Sequence, residues 1–529
     1  MDAVTLEIVR CSLQSVAEEM GATLGRTAFS PNIKERKDFS CAVFDDKGRM
    51  VSQAEHIPVH LGSMPLSVQE SLEEFTFEDG DVIILNDPYW GGTHLPDITL
   101  IAPVFCGDLL GFAACRAHHA DVGGRTPGSM PGDSREVFEE GVIIPPVKLY
   151  KKGKVNTDIL KMILRNVRTP DERKGDLRAQ GSACEIGKRR MKELVDKYGR
   201  TVVLEAFEEV MDYSERRMRK KIGEFPPGRY AAHDFMDNDG VTDEPVKIAV
   251  TVTVDKGLTF DFTGTSEQRT GNINAVYAVT LSCVYYTVRC VTDPGIPPNE
   301  GCYRPVDLIV PEGCLLNPVH PHAVSAGNVE TSQRIVDVLL KAFSLVVPHQ
   351  VIAGCQGTMN NVTIGGSSDG TSFAYYETIG GGMGARYNKD GIDGVHTHMS
   401  NTLNTPVEAL EMSYPFLVTD YVLIPGSGGN GKYRGGMGIA RGIQVLTDCT
   451  VSIQSERRKF APYGLFGGEK GRRGKNLLIR DKKVVELPSK TTYHLQKGDI
   501  IRIETPGGGG YGTKEERHET LREKEEQKE

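Results

Sequence analysis

The stretch Asn86-Asp87-Pro88-Tyr89-Trp90-Gly91-Gly92-Thr93-His94-Leu95-Pro96-Asp97-Ile98-Thr99, followed by Arg116-Ala117-His118-His119-Ala120-Asp121-Val122-Gly123-Gly124, puts imidazole and carboxylate groups beside turn residues. Apolar runs border both halves: Val82 to Leu85 before the first, Ile98 to Val104 between them, and Leu109 to Cys115 before the second. Runs of this length bounded by Gly, Pro and Asp read as strands, which places the polar groups at strand ends. His94, Asp97 and one of the two adjacent histidines can therefore converge on a cation. Neutral imidazole with carboxylate suits manganese, zinc or iron better than calcium or magnesium. Three protein ligands would leave positions open for water or substrate. The alternative is that these residues cap turns and hydrogen-bond backbone.

Adjacent side chains on a strand point to opposite faces, so His118 and His119 do not both reach one ion. One ring ligates while the other supports it or touches substrate. Asp121 falls on the side of His119 if the strand continues, which favours His119 as the ligand. The loop Thr126 to Glu136 follows directly, with Pro, Gly or Ser at nearly every other place. Loops held over strand ends bind ligands, so Ser129 and Met130, together with His60, are the expected substrate contacts. His56 and His60 flank Ile57 to Val59, while His320 and His322, and His396 and His398, lie two apart; each set reads as supporting structure rather than a second metal site.

Working outward, residues 4–28 have helical spacing, and Cys41 to Phe44 with Met50 to Gln53 read as strands joined by the turn Asp45-Asp46-Lys47-Gly48. Charged helical patterns cover Asp158 to Arg168, Arg178 to Tyr198 and Val202 to Ile222. The character changes at Phe225-Pro226-Pro227-Gly228. Strand-like pieces follow at Val246 to Val254, Leu258 to Phe262 and Leu308 to Val310, with helices near Ala275 to Val291 and Thr331 to Val346. Glycine crowds 380–384, 435–438 and 507–512 without a repeat period. The expected class is α+β. A large mixed α/β region, 1–224, carries the metal site; a β-rich, glycine-rich region follows over 225–512, then a charged tail, 513–529.

With 529 residues, 62 basic against 71 acidic, the chain can bury a large core and lacks the charge of a nucleic-acid groove. Eleven cysteines without a C-x-x-C pair suit a reducing compartment. The first twenty residues read as an amphipathic helix rather than a signal peptide, and no run approaches the roughly 18 apolar residues of a membrane span. A cytoplasmic location and no membrane partner are expected. No G-x-x-x-x-G-K-[ST], no Rossmann fingerprint and no G-x-S-x-G occurs, so no nucleotide-binding residues and no serine nucleophile are assigned.

The ordered motifs Asn32 to Arg36 with Asp38 to Ser40, Ile57 to Met64, Asn86 to Thr99, His118 to Gly124, Thr126 to Pro131, Gly175 to Gln180, Asp261 to Thr265, Gly327 to Arg334 and Pro506 to Gly512 resemble the hydantoinase B/oxoprolinase family. The resemblance runs nearly end to end and leaves out only the tail. It implies a divided mechanism. A hydantoinase A-type partner binds ATP and phosphorylates the substrate oxygen, and this chain completes the reaction at a divalent metal held by His94, Asp97 and His119. His118, Asp121 and Glu140 are the expected groups for proton transfer or orientation. The resemblance implies a cyclic amide hydrolase working in a hetero-oligomer, which fits the chain's length. A ketone carboxylase subunit and a non-catalytic scaffold are the alternatives. Which lactam, hydantoin or ketone is used is not readable from the chain.

Overall fold

The computed structural model describes residues 2–54 and 57–517. His56 and the charged tail beyond Arg517 lie outside the described residues. The quoted stretch sits in a seven-stranded sheet: β1 Phe39–Asp45, β2 Met50–Ala54, β3 Val82–Leu85, β4 Asp97–Cys106, β5 Asp108–His118, β6 Val147–Lys151 and β7 Lys154–Val155. Their spatial order is β2-β1-β5-β4-β3-β6-β7, and every neighbouring pair is antiparallel. Burial of β1, β2 and β3 along their whole length explains their near-continuous apolar composition. A strand covered on both faces has no side to give to water.

Side-chain alternation on β5 shows what covers each face. Cys115 reaches Cys184 on the helix Pro170–Tyr198, with sulfurs 3.7 Å apart. Arg116, one residue on, turns to Ser63 and Ser67 of the helix Ser63–Glu74. The helix Ala3–Thr27 packs on Pro170–Tyr198 and on β1, completing the first cover. The helices read at 4–28, 158–168, 178–198 and 202–222 all form, as Ala3–Thr27, Thr157–Arg165, Pro170–Tyr198 and Arg200–Ile222.

After residue 225 a second sheet forms from β8 Gly228–Met236, β9 Val246–Val254, β10 Leu258–Asp261 and β11 Val306–Ile309, ordered β11-β10-β9-β8. Strict alternation of burial along β9 reflects a sheet with one covered face. The helix Ser332–Phe343 packs on β8 and β9, and Tyr277–Val291 packs on that helix. Two further antiparallel sheets, of four and five strands, build the C-terminal third. The fold is thus a mixture of helices and several sheets. One apolar core runs from Val9 to Tyr511, and a second lies between the two C-terminal sheets.

The glycine clusters meet one another rather than a ligand. Gly436 N donates to Met383 O and Gly508 N to Gly436 O. A Cβ on Gly435 would stand 1.9 Å from Gly508 O, and one on Gly508 would stand 2.1 Å from Met383 O. Three backbone segments approach too closely for any side chain between them.

Candidate metal centre

The register of β4 against β5 sets Asp97 directly opposite His118, and Thr99 opposite Arg116. Cross-strand partners share a face, so Asp97 and His118 lie on the side of the helix Ser63–Glu74. His94 arrives from the turn before β4. Its carbonyl accepts from Asp97 N at 3.1 Å, while Asn86 holds the following residue by donating to Leu95 O at 2.7 Å. Gly91, at φ +71°, lets this turn lie on the helix, since a Cβ would come within 2.7 Å of Ser67 N.

The donor atoms form a nearly equilateral triangle. His94 Nε2 is 3.3 Å from Asp97 Oδ1, His118 Nδ1 is 3.4 Å from the same oxygen, and the two ring nitrogens are 3.2 Å apart. Ligands at about 2.1 Å from an ion are separated by about 3.0 Å in octahedral and about 3.4 Å in tetrahedral geometry, so the triangle fits one face of either. All three residues are buried. The other carboxylate oxygen, Asp97 Oδ2, accepts from Thr93 Oγ1 at 2.6 Å and Asn328 Nδ2 at 3.3 Å, with His60 Nε2 at 3.5 Å. Burial pushes the Asp97 carboxyl up, but the imidazoles of His94, His118 and His60 outweigh it and hold it well below the usual range. Burial pushes the His118 imidazole below its ordinary value. A metal binds ionised carboxylate and neutral imidazole.

His118, and not His119, stands in this triangle. Strand β5 ends at His118, whose face is that of Arg116; His119 takes the face of Cys115 and bonds Gln180 Oε1 at 2.9 Å on the helix Pro170–Tyr198. Burial, with Arg173 nearby, pulls the His119 ring down to about 4. Asp121 does not continue the strand either. It accepts from the backbone of Gly123, Gly128 and Arg168 and pairs with the Arg168 guanidinium at 2.9 Å, holding the loop. Glu140 accepts from Ser134 Oγ and the backbone of Val324 and Ser325, and burial pushes its pKa up. Ser129 closes its loop by accepting from Val122 N and donating to Gly123 O, and Met130 is buried in the main core. Neither lines the cavity beside the triangle.

His60 does line that cavity, which has a volume of about 20 Å³, together with Asp38, Asp97, His118, Asn328 and Tyr376. Ser40 Oγ lies 2.9 Å from His60 Nδ1, accepts from Ile57 N at 3.3 Å and donates to Ile57 O at 3.5 Å, which fixes the ring against the segment before Pro58. Tyr376 stacks on His118 with ring centres 4.3 Å apart, and the Arg36 guanidinium lies 4.9 Å from the Tyr376 centroid. Thr93, Asn328 and Tyr376 are contacts that motif reading did not assign. Thr93 and Asn328 stand inside quoted motifs, whereas Tyr376 carried no signal.

The hydantoinase B/oxoprolinase family model matches residues 2–514. The chain belongs to that family. A curated relative, an uncharacterized protein of Methanocaldococcus jannaschii, is 46% identical over 98% of this chain and 92% of its own length. The 5-oxoprolinase 1 of Arabidopsis thaliana is 42% identical over 97% of this chain, which spans only 42% of that longer protein. Among solved structures, the ATP-dependent caprolactamase of Pseudomonas jessenii superposes with a TM-score of 0.94 at 28% identity, covering 100% of this chain and 94% of that one. Acetone carboxylase shares the fold, with a TM-score of 0.90 at 19% identity over 98% of this chain and 77% of that one. Among the described residues no helix is long and apolar enough to cross a membrane.

Proposed function

We propose that this chain is the metal-holding subunit of an ATP-dependent cyclic amide hydrolase of the hydantoinase/5-oxoprolinase type. A partner subunit of the hydantoinase A type phosphorylates the lactam oxygen, and ring opening is completed here. The observation that carries this reading is the buried His94–Asp97–His118 triangle opening on the cavity lined by His60 and Asn328. Two features of its relatives support it. More than half of the plant 5-oxoprolinase has no counterpart in this chain, which leaves room for ATP handling on a separate subunit. The caprolactamase, similar over its length, is by its name an ATP-dependent enzyme acting on a lactam. Eleven cysteines without a C-x-x-C pair suit a reducing cytoplasm.

Amide resonance makes a lactam carbon a poor electrophile, and phosphorylating its oxygen removes that resonance and creates a leaving group. A bound manganese, zinc or iron ion would supply Lewis acidity, easing deprotonation of water and stabilising oxyanion charge. The chain's own groups prepare the water. His118 Nε2 and Asn328 Oδ1 are buried without hydrogen-bond partners, and His60, whose Nε2 lies 3.5 Å from Asp97 Oδ2, lines the same cavity with them. Ring nitrogens and an amide oxygen around one small space match water, which both donates and accepts. A volume of 20 Å³ holds about one such molecule. Asn328 Oδ1 would accept one proton of that water, and the imidazoles would position it beside the triangle.

The test is metal analysis of the purified chain and of His94→Ala/His118→Ala, followed by assay of each with the ATP-binding partner on lactams, hydantoins and a ketone with bicarbonate. About one ion per chain, lost in the variant together with ATP-dependent ring opening, is expected. Ring opening by metal-free chain would overturn the assignment. Carboxylation of the ketone in place of lactam hydrolysis would move the chain to the carboxylase branch, and activity intact in the variant would make it a scaffold.

A further inference from the structure

Residues adjacent in the chain line the cavity beside the triangle and a much larger one. Met399, Ser400 and Thr402 line the first, while His398 lines the second, whose volume is about 500 Å³. Consecutive Cα atoms are about 3.8 Å apart. His398 is in the left-handed region at φ +55°, so the chain turns sharply where it passes between the two spaces.

The larger cavity has an apolar floor of Leu340, Val351, Ile352 and Met383, and no carboxylate lines it. Its formally charged lining groups are Arg386 and Lys389, both cationic. The nearby acids are already used: Asp390 pairs with Arg517 and accepts from Arg434 N, and Asp393 pairs with the Arg434 guanidinium. Arg386 makes one weak side-chain contact, to Met383 Sδ at 3.8 Å. Among the described residues neither Arg386 nor Lys389 has an acidic partner. In a chain of net charge −9, a cavity bearing only cations is tuned for an anion.

The wall between the cavities is rich in unpaired polar atoms. His396 Nε2, Thr397 Oγ1 and Gln333 Oε1 are buried without hydrogen-bond partners, while His398 Nε2 lies 3.5 Å from Asp337 Oδ1. On the side of the triangle, His118 Nε2 and Asn328 Oδ1 are likewise without partners. Buried polar atoms are ordinarily paired, so orphans on both sides of one segment mark a place that polar ligands visit. The smaller cavity has room for about one water and not for an organic ring.

We propose that the larger cavity is a binding chamber for a small organic oxyanion with an apolar body, its charge held by Arg386 and Lys389, from which the reactive end is admitted to the His94–Asp97–His118 triangle. The identity of the anion rests on the function proposed above: either the carboxylate of the cyclic amide or the phosphate added by the partner.

The experiment compares wild type with Arg386→Glu/Lys389→Glu, and with Arg386→Gln/Lys389→Gln as the milder variant, after unchanged melting temperature confirms folding. Calorimetric titration of the isolated chain uses benzoate and phenyl phosphate as probes. Wild type should bind at least one probe, and charge reversal should weaken that binding by about tenfold or more. In the complex with the partner, the reversed variant should raise KM about tenfold with kcat and metal content unchanged. An effect confined to a carboxylate-bearing lactam such as 5-oxoproline identifies the carboxylate. An equal rise in KM with a neutral lactam identifies the phosphate. No binding to wild type, or equal binding to wild type and variant, overturns the chamber. Charge-dependent binding in a chain whose complex opens no lactam would keep the chamber and discard the lactam reading.

Discussion

Two buried polar clusters in this molecule use the same residue types in opposite ways. Behind the helix Ser332–Phe343, Arg334 pairs with Asp234 at 3.3 Å and Glu456 at 3.1 Å, Arg457 with Asp234 at 3.0 Å and Asp337 at 2.5 Å, and Lys490 with Glu456 at 2.5 Å. Three carboxylates meet three permanent cations, and the charge closes on itself. At the head of β4, Asp97 meets three imidazoles, a hydroxyl and an amide. The guanidinium of Arg116, on the same face of the sheet, is spent on Thr99, Ser63, Ser67 and Gly91 O, and burial pulls its pKa down to about 10. Matched charge marks a cluster that holds sheets together. A carboxylate among imidazoles is a donor set that a cation from outside could fill.

The largest expected effect tests that contrast within one pair of neighbours. His118→Ala should weaken divalent metal binding by more than about 100-fold, the upper range for losing even a supporting contact, whereas His119→Ala should cost less than about tenfold. Metal titration followed by the rise in melting temperature reads both, since an ion at 100 times its Kd adds about 2.7 kcal/mol. Equal losses in the two variants would erase the distinction between the faces of β5.

Glu456→Ala should behave in the reverse manner. Removing one member strands Lys490 in the interior and leaves Arg334 with Asp234 alone, a loss of about 3–5 kcal/mol by urea denaturation, with metal affinity unchanged. The double replacement Glu456→Met/Lys490→Met should cost less, because no ion is left unpaired between those two positions. Additive losses would mean the pair does not act as a unit.

How far these clusters were legible in the sequence follows from their spacing. Strand-forming runs around His94, Asp97 and His118 were visible because apolar residues of the right length lie between turn residues. Alternation also showed that His118 and His119 part company, but not which way each turns. That choice depended on where β5 ends: extending the strand to Asp121 put Asp121 beside His119, while the chain in fact leaves the sheet at His118 and Asp121 is captured by Arg168. Asn328 and Tyr376 come to the triangle from more than 200 residues away, and a single chain carries no local pattern for such contacts. The ionic cluster was equally invisible, since Asp234, Arg334, Asp337, Glu456, Arg457 and Lys490 are ordinary surface types until packing buries them. Helices survived best because their 3.6-residue period is local. Many strands after residue 350 were not placed, because glycine-rich segments pack backbone on backbone and leave no alternation to read.

Glu330 lies between the two clusters and sharpens the comparison through pH. It accepts from Met359 N at 3.0 Å and Asn361 Nδ2 at 2.8 Å, its second oxygen has no partner, and burial pushes its pKa from 4.5 to about 7. Below pH 4.5 both folded and unfolded chains hold the proton, and nothing is lost. As pH rises towards 7 the unfolded chain releases it first, so stability falls and the full penalty applies above 7. Glu330→Gln keeps the accepting oxygen and removes the charge. It should stabilise the chain above pH 7 by roughly 3 kcal/mol at most and leave it unchanged below pH 4.5. Urea midpoints at pH 4 and pH 8 give the difference, and a gain of equal size at both would assign the effect to packing.

The smallest effect concerns how the triangle is aimed. Thr93 is fully buried and donates to Asp97 Oδ2 at 2.6 Å, much closer than Asn328 Nδ2 at 3.3 Å or His60 Nε2 at 3.5 Å. It therefore fixes the carboxylate plane and leaves Oδ1 facing His94 and His118. Thr93→Val preserves shape and deletes that bond, so cation affinity should fall about tenfold, the lower end for a group that orients a ligand without touching the ion. Thr93→Ser retains the hydroxyl and should hold affinity near wild type. If the valine variant also binds normally, Asn328 and His60 suffice to hold Asp97, and the carboxylate is set by the strand register rather than by its own hydrogen bonds.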